Sequence, residues 1–197
     1  MDGDVIGVPA PALQNQQLLT GRARYTNDLR IPGMLIGKLL YSAHPCARIL
    51  EIDVESACAL PGVVAVLTHA DIPGENSYLY HETDQPLLAV DRVNYLGDAI
   101  AAVAAVDEAS AQAALDAIVV EYEPLEGIFD PVEAMQPDAL AALPGYDNVI
   151  PSALFEIGDV EAGFEEADVI IENTYHTQWI EHAFLEPEGA PAYIDLD

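Results

Sequence analysis

Residues 99–122 read AIAAVAAVDEASAQAALDAIVVEY, and three elements follow from that one stretch. Ala99 to Val106 is apolar on both alternating faces, as in a strand buried inside a sheet rather than lying at its surface. Asp107 then offers a carboxylate to the free N–H groups of an alanine-rich helix running to about Ile118. Val119 to Tyr122 is β-branched and returns as a strand. Strand, helix and strand at this spacing make an αβ unit, and the chain is expected to have a mixed α/β (α+β) fold.

Working upstream, the run MLIGKLLY from Met34 to Tyr41 suits a strand entering a core, and RILEIDV from Arg48 to Val54 alternates as a second. Asp53 is placed to cap a short helix from Glu55 to Leu60, which Pro61-Gly62 stops. Val63 to Thr68 reads as a third strand, Asp71-Ile72-Pro73-Gly74 as a turn, and residues 74–86 as a loop. Residues 1–19 are polar, contain Pro9 and Pro11, and read as an extended lead-in.

Downstream, two short helical pieces near Val132 and Ala139 end at Pro144-Gly145. The proline-bounded stretch 124–152 is the best candidate boundary, dividing a domain over residues 20–140 from a segment over 141–197. Asp159 would cap a helix from Val160 to Ala167. Asp168 to Trp179 alternates strongly and reads as a long strand, with Gly189 to Leu196 as its hairpin partner. A chain stopping at Asp197, inside that hairpin, reads as the truncated start of a second domain.

Six bases against 34 acids leave a net charge of −28, which argues against nucleic-acid binding and against docking on an anionic membrane. The bases are Arg22, Arg24, Arg30, Lys38, Arg48 and Arg92, so positions 93–197 carry 23 carboxylates and no Lys or Arg. A solvated acidic surface is the plain reading, and contact with a basic neighbour, weakened by salt, is the sharper one. No apolar run approaches the roughly 20 residues that cross a bilayer. The acidic N-terminus shows no export signal, so Cys46 and Cys58 are expected as reduced thiols in a cytoplasmic protein.

Few residues offer chemistry. His182 and Glu186 stand four apart in EHAFLEPE, flanked by Glu181, and on a helix such a pair could hold a metal. Pro187 limits any helix there and no third ligand is near, so a structural or interface role is the better reading. His44 and Cys46 in SAHPCAR would share a strand face, but nothing supplies an orienting acid or an oxyanion site. There is no glycine-rich phosphate loop, no GxSxG and no HExxH. The residues alone describe an acidic α/β module with no complete catalytic set.

Three ordered blocks add to this. Residues 20–74 (TGRARYTNDLRIPGMLIGKLLYSAHPCARILEIDVESACALPGVVAVLTHADIPG) and 85–131 (QPLLAVDRVNYLGDAIAAVAAVDEASAQAALDAIVVEYEPLEGIFDP) form the first two. Together they resemble the N-terminal α/β hammerhead domain of the molybdenum-binding large subunit of the xanthine dehydrogenase and aldehyde oxidase family. Residues 158–195 (GDVEAGFEEADVIIENTYHTQWIEHAFLEPEGAPAYID) resemble the entry into its first molybdopterin-binding domain. Two departures stand out: Cys46 replaces the second histidine of a Ser-Pro-His-Ala-His-Ala-Arg-like run, and Gly97-Asp98-Ala99 replaces Gly-Glu-Pro or Gly-Gln-Pro.

The resemblance implies a molybdopterin-dependent hydroxylase that adds a water-derived oxygen to a purine, an N-heterocycle or an aldehyde. It implies molybdenum-molybdopterin bound outside this segment, and iron–sulfur clusters and FAD on partner subunits. This segment would then be structural, inactive alone, with no catalytic, cofactor-binding or metal residue of its own and with Glu181, His182 and Glu186 at the domain junction. Two other classes compete: a stand-alone acidic interaction module that reuses the hammerhead without cofactor, and a small metal-dependent hydrolase using His182 and Glu186.

Overall fold

The computed structural model describes residues 9, 12–78, 85–142, 148–149, 155, 157–184 and 188–194. They fall into two units, one of Gly33–Glu165 and one of Met1–Pro32 with Glu166–Asp197. The described strands all lie in the first unit: β1 (Ile36–Tyr41), β2 (Ala47–Asp53), β3 (Val63–Leu67), β4 (Arg92–Val93), β5 (Ala99–Ala105) and β6 (Val119–Pro124). They form two antiparallel sheets of three, in the orders β1-β5-β3 and β4-β2-β6.

β5 is the central strand that its composition calls for, with Val103 paired to Lys38 on one side and to Val66 on the other. Its two faces serve two cores. Ala101, Val103 and Ala105 join Ala57, Ala111, Ala114 and Ile118 beneath the helices α2 (Glu55–Cys58) and α3 (Glu108–Ala117). Ile100 joins Ala47, Ile49, Ala89 and Val93 against the second sheet. Ile52 and Val120 pack on both clusters and tie them together. Alanine at 111 and 114 lets α3 lie close on the sheet, since each is fully buried with almost no side chain to accommodate.

The local signals behind α3 act as the sequence implies. The Asp107 carboxylate accepts the Ser110 N–H at 2.8 Å. Gly62 lies at φ +85°, where only glycine is unstrained, and its carbonyl accepts the Val106 N–H at 2.9 Å. A Cβ on Gly62 would meet the Ser110 hydroxyl at 2.5 Å, so the turn before β3 and the start of α3 fit only through a bare Cα. Asp53 accepts from the Glu55 N–H at 2.9 Å at the start of α2. Two short helices follow, α4 (Pro131–Ala134) and α5 (Val160–Glu166). Asp130 receives the Val132 and Glu133 N–H groups, and Asp159 receives that of Ala162.

Four expectations change. β5 and β6 flank α3 but enter different sheets, so the αβ unit is a bridge between sheets and not a pair within one. Near Ala139 the chain makes turns rather than a helix, and Pro144-Gly145 lies outside the described residues. Asn15–Leu19 is a short helix, α1, inside the stretch expected to be extended, because glutamine and leucine are good helix formers. Residues 168–184 and 188–194 form no strand and all are exposed. Alternation gives a strand its faces, but a ladder needs a partner backbone, and an isolated hairpin is marginal in water.

Candidate functional site

Ser42, just past β1, organises the loop that carries His44 and Cys46. It is buried, its hydroxyl donates to the His44 carbonyl at 2.8 Å and accepts the His44 N–H at 3.0 Å. Its own N–H donates to the Asp98 carbonyl at 2.8 Å, and its carbonyl accepts from Gly97 at 3.0 Å. Asp98 is buried too, and its carboxylate takes the Asn94 N–H at 3.0 Å, closing the Asn94–Asp98 turn. Ala99, where the resembling family carries proline, pairs with Tyr41 in the sheet.

His44 and Cys46 do not form a nucleophilic pair. The His44 ring lies 4.7 Å from that of Tyr122, centroid to centroid and tilted by 53°. The Cys46 thiol is buried and accepts from Arg92 Nη2 at 3.4 Å. Burial raises the Tyr122 phenol above its ordinary value, with a hydrogen bond to Ser42 pulling the other way. Burial also raises Tyr95, and the nearby Asp98 carboxylate adds to it.

A cavity of about 260 Å³ lies beside β4. Arg92 and Asn94 line it with Cys46, Leu96, Phe129 and Ala142. Arg92 is held by the Ala141 carbonyl, which accepts from Nη1 at 2.9 Å, and by the Cys46 sulfur. Asn148 fastens the far wall, donating to the carbonyls of Ala134 (2.9 Å) and Leu140 (3.0 Å) and accepting from the Ala142 N–H (2.8 Å). Arg92 Nε and Asn94 Oδ1 are buried without a hydrogen-bond partner. Nothing in the sequence singles out this cavity. Its only local signal is that Arg92, the last base in the chain, precedes a second polar residue by two positions.

The expected junction residues sit elsewhere. Glu181 and His182 are exposed in the segment 168–184, and Glu186 lies outside the described residues. The His182 and Phe184 rings stack 5.6 Å apart and nearly parallel, and Glu181 Oε1 accepts the Ala183 N–H at 3.2 Å where Ala183 takes φ +47°. Among the described residues no three His, Cys, Asp or Glu side chains gather as a metal site, and no helix is long and apolar enough to cross a membrane.

A family model described as "Aldehyde oxidase and xanthine dehydrogenase, a/b hammerhead domain" matches residues 20–126, which span all six strands. The chain belongs to this family. A second model, for a molybdopterin cofactor-binding domain, matches residues 145–197. A relative from Bacillus subtilis, named as a probable xanthine dehydrogenase subunit, is 45% identical over 91% of this chain and 24% of its own length. The nicotinate dehydrogenase large molybdopterin subunit of Eubacterium barkeri is 39% identical over 98% of this chain and 45% of its own. Aldehyde oxidoreductase from Desulfovibrio gigas superposes with a TM-score of 0.68 at 31% identity, over 81% of this chain and 19% of the other. The chain thus spans between about a quarter and a half of the length of these two curated relatives.

A molybdenum-bearing pterin is anionic and needs cationic or N–H donors in an enclosed wall. The described residues of 157–184 and 188–194 contain no Lys or Arg and are almost all exposed. They do not by themselves fit that group, and no step of chemistry is assigned to them through it.

Proposed function

We propose that the complete protein is the molybdenum-binding large subunit of a xanthine dehydrogenase-like hydroxylase, in which residues 20–140 are the structural hammerhead and residues 141–197 begin the cofactor-binding part. The observation that carries this is the likeness, over 91% and 98% of the chain, to a probable xanthine dehydrogenase subunit and to a nicotinate dehydrogenase large molybdopterin subunit. On this reading the enzyme adds a water-derived oxygen to a purine, an N-heterocycle or an aldehyde. The molybdopterin is held by residues outside those described, and iron–sulfur clusters and FAD reside on partner subunits. Turnover of such substrates by the complete protein in ¹⁸O-labelled water tests it. Label entering the product is the expected result, and unlabelled product would refute the reaction class.

Within this reading Glu181, His182 and Glu186 belong to the junction between domains. Support comes from their place in the stretch matched by the molybdopterin-domain model and from the exposure of Glu181 and His182, which leaves both free to meet another part of the protein. His182→Ala in the complete enzyme should lower its thermal midpoint or its molybdenum content, and a variant unchanged in both would end that assignment. Two free cysteines support a cytoplasmic location.

A further inference from the structure

We infer that residues 25–30 form a strap that clasps the chain at Gly189, which makes the N-terminal arm, residues 20–32, the basic neighbour of the acidic C-terminal stretch. The inference stands on contacts within one unit, Met1–Pro32 with Glu166–Asp197, and does not depend on the hydroxylase reading. The hammerhead model takes in residues from 20 onward, yet the structure groups the arm with the stretch that the molybdopterin-domain model matches. The strap is a preformed turn. Thr26–Asp28 makes one turn of 3-10 helix, in which the Asp28 N–H donates to the Tyr25 carbonyl at 2.9 Å and the Asp28 carboxylate accepts the Tyr25 N–H at 3.0 Å. Arg30 Nη1 donates to the carbonyls of Asn27 and Leu29, each at 2.7 Å. Asn27, at the middle of this turn, meets Gly189: its Oδ1 occupies the place where a Cβ on Gly189 would stand, with Asn27 Cγ 3.2 Å and Thr26 Cγ2 3.6 Å from that point.

Charge favours the same pairing. The arm carries Arg22, Arg24 and Arg30 against Asp28 alone. The described residues 166–184 and 188–194 carry Glu166, Asp168, Glu172, Glu181 and Glu188 and no Lys or Arg. Among the described residues no ion pair joins the two segments, so their attraction acts through solvent, is modest and is screened by salt.

Limited trypsin digestion of the complete protein tests this, because a strap protects its own backbone until it opens. Arg22, Arg24 and Arg30 are exposed cleavage sites in the arm, and Arg48, exposed on β2, is the internal reference. Gly189→Ala pushes Asn27 away and should speed cleavage in the arm at least about fivefold relative to Arg48. Gly189 does not lie at positive φ, so alanine is tolerated there once its methyl has room. In a chain already carrying Asn27→Ala, which removes the obstructing amide, Gly189→Ala should therefore change the rate less than about twofold. Wild type in about 1 M salt, where screening shrinks to roughly 3 Å, should also be cut faster in the arm relative to Arg48. Gly189→Ala cut at the wild-type rate, an equal effect of Gly189→Ala with and without Asn27→Ala, or arm cleavage indifferent to salt would each overturn the inference.

Discussion

Asp107 shows how one side chain sets both a helix and its response to pH. Its carboxyl lies below its ordinary value of 3.8, chiefly because the backbone N–H of Ser110 bonds to the charged form. A carboxylate depressed on folding stabilises the native state above its unfolded value, and that stabilisation is lost as pH falls through the lower, folded value. Asp107→Asn keeps a capping acceptor without the charge, so its thermal midpoint should be lower than wild type at neutral pH and converge with it in acid. Melting curves from pH 7 down to pH 3 check this. Caps such as Asp107 and Asp159 were legible in the sequence because their partners lie within three residues. The cavity residues were not. Arg92 is fixed by Ala141, 49 residues away, and by Cys46, 46 residues away, so no local spacing marks it.

At the scale of elements, β5 carries the fold. Ile100 is fully buried where the central strand meets the second sheet. Ile100→Ala should cost roughly 2–5 kcal/mol through lost burial and the cavity left behind, measured as the shift in chemical denaturation. Apolar residues on both faces of 99–106 mark this strand in the sequence itself, since only a covered strand tolerates them. Composition could not say that β6, beyond α3, would leave for the other sheet, because periodicity assigns faces and not neighbours. The same limit explains residues 168–179. Their alternation is real, but Val169, Ile171, Tyr175 and Trp179 stay exposed because no described strand supplies the other half of a ladder.

For the whole molecule, the sign of charge is segregated along the chain whereas the core is not. All six bases lie before position 93, while the buried clusters draw on β2, β5 and α3 alike. Among the described residues the acidic second half gathers no three His, Cys, Asp or Glu side chains as a metal site. The family was legible from ordered blocks because these strands and their turns recur together, whereas substrate choice leaves no mark on scaffold residues. The most direct test is the molybdenum content of the complete protein, purified by affinity tag from its own host with molybdate supplied. The account predicts close to one molybdenum per chain, and a folded, complete protein without molybdenum would contradict it.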